Sequence, residues 1–178
     1  MTIWVTSRNL AASWAQRHGA KRAVSLLAPG DEFPVIADLP DKHHLKLALD
    51  DIDTPMEGLR PPQEADVKRL IAFVEDWDRK DPILIHCWAG VSRSSASAFI
   101  TACLHNPDAD ERDIAGMVRA ASPTAKPNKR MVAIADDLLG RKGRMKQAVD
   151  SMGPHEIVME AEPFKIPSLY DKVRGHWI

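Results

Sequence analysis

The chain has 178 residues and a formal net charge of −1, with 24 lysines and arginines against 25 aspartates and glutamates. That balance gives no electrostatic case for nucleic acid or an anionic membrane surface, and no apolar run reaches the length of a membrane span. A hydrophobic fraction of 44% at this length predicts one soluble globular domain able to bury a core without disulfides or metal, and Arg8 and Asn9 interrupt any signal-peptide core, so the expected setting is the cytoplasm.

In chain order, Ile3-Trp4-Val5 reads as a short strand, and Ser7 as the N-cap of a helix that runs to about Arg17 and closes at Gly19. Ala23 to Leu27 is a second strand ended by Pro29-Gly30. Residues 31–44 are broken by prolines and read as an irregular connection, after which His44 to Leu49 alternates as a third strand. An acidic turn, Asp50-Asp51-Ile52-Asp53, follows it. Pro61-Pro62 is expected to open a helix whose apolar stripe is Val67, Leu70, Ile71, Val74 and Trp77. Ile83-Leu84-Ile85 is a fourth strand, and Ser95 to Leu104 a helix of small and apolar residues. Asp108 or Asp110 can cap a helix to about Ala121, and Asn128 one from Met131 to Leu139. Beyond Arg141 the periodicity weakens into a basic stretch with Lys142, Arg144 and Lys146, expected to be a solvated helix face. The tail that follows carries Phe164, Ile166, Leu169, Tyr170 and Trp177, too apolar for a solvated linker and expected to pack on the domain or a partner.

Strands alternating with helices predict an α/β fold with a central, mostly parallel sheet flanked by helices. Ligands of such sheets sit beyond the carboxyl ends of the strands. The run His86-Cys87-Trp88-Ala89-Gly90-Val91-Ser92-Arg93-Ser94 is placed there, between a strand and a helix. Backbone N–H groups and the positive end of a helix dipole then converge on one spot, which is a nest for an anion.

Those residue types suit attack on phosphate. A thiol beside a helix N-terminus and a cation is favoured as thiolate, which fits Cys87 as nucleophile. The loop N–H groups of Trp88, Ala89, Gly90, Val91, Ser92 and Arg93 can bind the non-bridging oxygens, Gly90 lets the chain curl closely, and Arg93 adds a planar fork of donors. The leaving oxygen needs a proton, for which Asp50, Asp51 and Asp53 are all placed at the right edge. Ser94 can ease departure of the thiolate in a second, hydrolytic step. His86 reads as a loop-fixing residue that faces away from substrate. Trp88 fits two roles equally, stacking on substrate or packing on the sheet. Cys103, in an apolar helix, reads as a packing residue, and adjacent His43 and His44 have no third partner that would make a metal site.

His86-Cys87-x5-Arg93-Ser94 resembles the signature of the cysteine-based protein tyrosine phosphatase superfamily. Ala89-Gly90-Val91-Ser92-Arg93-Ser94 resembles its dual-specificity-like branch, as does Ala121-Ser122-Pro123 through Pro127-Asn128 to Met131. Leu49-Asp50-Asp51-Ile52, the proline-led helix and Phe73-Val74-Glu75-Asp76-Trp77 are similar to a compact bacterial subgroup. The resemblance covers residues 1–145, leaving 146–178 as a C-terminal extension. It implies Cys87 as nucleophile, Arg93 as phosphate clamp, Ser94 as the hydroxyl for the leaving thiolate and Asp51 as general acid, with His86 and Asn128 in support. No cofactor or metal is implied. The expected substrate is a phosphorylated protein or a small phosphomonoester, and a loop without lysine favours a single phosphate; the oligomeric state stays open. Two rivals stand beside this reading. One is a module that binds phosphopeptides without turnover, and the other is a rhodanese-like sulfurtransferase, disfavoured by the spacing of Cys87 and Arg93.

Overall fold

The computed structural model describes residues 1–171, 176 and 177. The side chains of Tyr170 and Trp177, two of the apolar tail residues, lie outside the described residues. The chain starts with β1 (Thr2–Ser7), α1 (Arg8–His18), β2 (Arg22–Leu27), a 3-10 turn (Asp41–His43) and β3 (His44–Ala48). Then come α2 (Glu64–Glu75), β4 (Ile83–Cys87), α3 (Arg93–His105), α4 (Glu111–Ala121), α5 (Lys129–Leu138) and α6 (Arg144–Asp150). Three short strands close it: β5 (Phe164–Pro167), β6 (Tyr170–Asp171) and β7 (His176–Trp177).

The main sheet has the order β3-β2-β4-β1-β5. The first four strands are parallel and β5 is antiparallel at the edge. β4 is therefore flanked on both sides, which is why Ile83 to Cys87 is an unbroken buried run rather than an alternating one. Successive residues still face opposite ways. Ile83 and Ile85 join the large core with Leu70, Val74, Phe99 and Ile114, whereas Leu84 packs with Ala11, Ala15 and Ala23 of the α1 side. The result is a sheet with α1 on one face and the remaining helices on the other.

The helix expected at Pro61-Pro62 starts later, at Glu64. The Asp66 carboxylate accepts the Gln63 N–H at 3.0 Å and fixes the start there, while the Pro62 carbonyl accepts from Arg130 Nε at 2.7 Å and stays in the connection. Trp77 lies past the end of α2 yet is buried, with its indole N–H on the Asp81 carbonyl at 2.9 Å. The stretch after Arg141 forms α6, whose starting amides are capped from α5: Asp136 accepts from Gly143 and Met145 at 2.6 and 2.7 Å. Lys142, Arg144 and Lys146 are exposed there, as a solvated face requires. Arg141 and Arg144 both pair with buried Glu111, at 3.1 and 3.0 Å. In the tail, β5 pairs with β1 in the register Ile3↔Ile166 and Val5↔Phe164, burying Phe164 and Ile166.

Candidate active site

β4 ends at Cys87 and α3 begins at Arg93, so the intervening loop lies beyond the carboxyl ends of the parallel strands. Its carbonyls are held from outside. Trp88 accepts from the Arg8 amide at 3.0 Å, Ala89 from Ala161 at 2.8 Å, Val91 from Lys126 at 3.0 Å and Ser92 from Asn128 at 3.3 Å. In a planar trans peptide the N–H points opposite to its carbonyl. The amides of Ala89, Gly90, Ser92 and Arg93 are thereby turned away from those donors, toward the concave side of the loop. Gly90 is needed twice over. Its φ is +78°, and a Cβ would meet the backbone of Thr6 and Ser7 at 3.0–3.1 Å.

Cys87 is buried at the floor, and its Sγ lies 3.1 Å from the Ser94 hydroxyl. Arg93 is also buried. Its Nη1 donates to the Leu49 carbonyl at 2.7 Å, which leaves Nε as a buried donor without a hydrogen-bond partner. A buried guanidinium donor without a hydrogen bond, beside a cleft, is the sort of group an oxyanion satisfies. Cys87 and Arg93 line a cleft of about 430 Å³ with Asp51, Asp53, Trp88, Ala89, Val91, Ser92, Lys126, Pro127, Asn128 and Val158.

The three aspartates separate. Asp51 Oδ1 accepts from the Ser92 hydroxyl at 2.7 Å and Asn128 Nδ2 at 2.9 Å, and its Oδ2 is 3.8 Å from Arg93 Nε. Asp53 also lines the cleft, but its carboxylate accepts the Arg130 amide at 3.2 Å, in the first turn of α5. Asp50 staples its own loop by accepting from the Arg60 amide at 2.7 Å, in a different recess with Pro29, Gly58 and Leu59. Asn128 does two things at once: its Oδ1 caps α5 at Met131 N, 3.0 Å away, and its amide holds Asp51.

His86 is fully buried. Its Nδ1 lies 3.2 Å from the Cys87 carbonyl and its Nε2 2.5 Å from Ser25 Oγ, which is itself 2.7 Å from His44 Nε2. A carbonyl can only accept, so Nδ1 carries the proton, Ser25 donates to His86, and His44 Nε2–H donates to Ser25. Burial lowers both imidazoles to about 4, which favours the neutral forms this chain requires. His44 is thus the outer end of a relay rather than a solvated residue beside His43. Among the described residues no group of three His, Cys, Asp or Glu side chains could hold a metal ion.

Trp88 is half exposed, with the Arg8 guanidinium 5.3 Å from its ring centroid, so it is not packed on the sheet. Cys103 is a free, fully buried thiol whose ionisation is pushed strongly up by burial, in keeping with a packing role. Lys126 and Val158 of the cleft wall escaped the sequence reading. Lys126 lies next to the Pro127-Asn128 pair, a signal that was available; Val158, far along the chain in the extension, carried none.

The profile described as protein-tyrosine phosphatase matches residues 56–131, the stretch that holds the loop, Lys126 and Asn128. Comparison with curated protein sequences gives no match. Among solved structures, human DUSP28 superposes with a TM-score of 0.60 at 20% identity, covering 79% of this chain and 89% of its own. A mouse putative dual specificity phosphatase complexed with zinc tungstate gives 0.59 at 17%, covering 83% and 86%. PTPMT1 in complex with PI(5)P gives 0.52 at 12%, covering 78% and 90%. At these identities the superpositions establish the fold, and the sequence match over 56–131 joins that fold to the Cys87–Arg93 loop. On the two together, residues 56–131 match the protein-tyrosine phosphatase family model, and the chain has the fold of dual-specificity phosphatases.

Proposed function

We propose that the protein hydrolyses phosphomonoesters of the phosphotyrosine or dual-specificity type in two steps through a phosphorylated Cys87. The observation that carries this reading is one cleft bringing together Cys87 Sγ, backed by Ser94 Oγ, the Nε of Arg93 that makes no hydrogen bond, and Asp51 tied to the same loop. In the first step Cys87 Sγ attacks phosphorus and the bond to the leaving oxygen breaks. That oxygen takes a proton from Asp51. Oδ1 of Asp51 already accepts two hydrogen bonds, so the transferred proton is assigned to Oδ2. In the second step water attacks phosphorus and gives its proton to the Asp51 carboxylate. The P–S bond then breaks, with the Ser94 hydroxyl donating to the departing thiolate. Throughout, the loop amides and Arg93 hold the non-bridging oxygens without reorganising.

Two free cysteines fit a reducing compartment such as the cytoplasm, and no helix among the described residues is long and apolar enough to cross a membrane. Substitution of the nucleophile tests the mechanism. Cys87→Ser is expected to remove turnover of p-nitrophenyl phosphate while inorganic phosphate still binds, and retained turnover in that variant would exclude the cysteinyl route.

A further inference from the structure

Residues 156–161 run as a strap beside the phosphate loop. One end is fixed by the Glu156 amide on the Pro123 carbonyl at 3.0 Å, and the other by the Ala161 amide on the Ala89 carbonyl at 2.8 Å. Glu160 adds side-chain hydrogen bonds from Ser7 and Asn9, at the start of α1. Between these anchors the apolar residues alternate as in extended chain. Ile157 and Met159 are each 92% exposed, whereas Val158 is 39% exposed and lines the cleft. The cleft therefore has two zones. Its polar lining is Cys87, Arg93, Ser92, Asp51 and Asp53; its apolar lining includes Trp88, Pro127 and Val158, with Lys126 as the added cation.

We propose that Val158 is a specificity-determining residue, which with Trp88 forms the wall that receives the aryl group of an aryl phosphomonoester such as a phosphotyrosine side chain. The proposal rests on the phosphatase reading of the same cleft. An aryl ring gains by leaving water for Val158 and the indole of Trp88, whose place is set by the Arg8 guanidinium and the Arg8 amide. A polyol or sugar gains less from the apolar surface of Val158, because its hydroxyls give up water there for a side chain that cannot hydrogen-bond. The strap comes from the extension beyond the matched segment 56–131, so the extension supplies part of the substrate surface.

The test uses the full chain carrying Cys87→Ser, which holds substrate without turnover, with and without Val158→Ser. That change removes apolar surface from a partly exposed site and adds no charge, so folding is not at risk. Binding is measured for a phosphotyrosine peptide, for glycerol phosphate and for inorganic phosphate. The expected result is a loss of about three- to tenfold in phosphotyrosine affinity, on the scale of one apolar side chain lost from a pocket, with the other two ligands unchanged. Equal losses for all three ligands, or no loss for phosphotyrosine, would overturn the role of Val158. Binding that shows the expected selectivity in a chain that fails, with Cys87 intact, to turn over phosphotyrosine would sink the hydrolase reading and leave the wall standing.

Discussion

At the end of β3 three aspartates share one short loop, and only their partners tell them apart. Asp50 holds Arg60, Asp53 holds the first turn of α5, and Asp51 is held by Ser92 and Asn128 with its second oxygen toward Arg93. Asp51→Asn is expected to lower kcat for an aryl phosphate by about 10²-fold, within the range for loss of a general acid. Inorganic phosphate binding should stay intact. Asp53→Asn producing that signature in its place would transfer the role. Cys87, Arg93 and Ser94 could be named from the sequence because their chemistry lies in one contiguous loop. The residues alone left Asp50, Asp51 and Asp53 open, and only the family resemblance pointed to Asp51, because the three carry the same group and differ in contacts with Arg60, Ser92, Asn128 and Arg130.

Helix α5 shows how one element serves both fold and site. Its N-cap, Asn128, satisfies the Met131 amide through Oδ1 and reaches Asp51 through Nδ2. Asn128→Ala should cost about 1 kcal/mol of stability, the usual cost of losing such a cap, and lower kcat as well. Asn128→Ser can still cap but is too short to hold Asp51. Denaturation midpoints and kcat measured together should then show stability near the unmutated level with kcat still reduced. A kcat that returns with the cap would make the Asn128–Asp51 contact incidental. Local signals of this kind explain why the order of the core elements could be read in advance: Gly19 closes α1, Asp110 caps α4 and Asn128 caps α5. The basic stretch at Lys142 to Lys146 was expected to be a helix face, but the start of α6 was not legible because its cap is Asp136 of the preceding helix and the arginines around its start answer to Glu111, partners that no local pattern displays.

Across the whole molecule, the buried relay His44–Ser25–His86 ties β3, β2 and β4 together beneath the loop. Both imidazoles are lowered from 6.5 to about 4, chiefly by burial. The unfolded chain takes up these protons near 6.5 and the folded chain does not until about 4. The stability they contribute is therefore complete above 6.5 and lost as pH falls toward 4. Fully buried His86 alone can contribute up to about 1.4 kcal/mol per pH unit in that window, and partly buried His44 less. Urea denaturation midpoints should fall between pH 7 and pH 5, and His86→Asn should flatten that dependence; a midpoint constant over this range would contradict the neutral relay. The tail belongs to the same whole. Its strand β5 completes the sheet edge and its strap walls the cleft, and neither register nor strap could be read from the apolar residues that signalled only that the tail packs somewhere.

The most direct test of the central claim is to look for phosphate on sulfur. The enzyme is mixed with a phosphotyrosine peptide, quenched in acid during turnover, digested and analysed by mass spectrometry. The account predicts a phosphoryl group on the peptide containing Cys87, absent in Cys87→Ser and enriched in Ser94→Ala, where departure of the thiolate is slowed. Steady turnover with no phosphoryl group on Cys87 even in Ser94→Ala would contradict the two-step route.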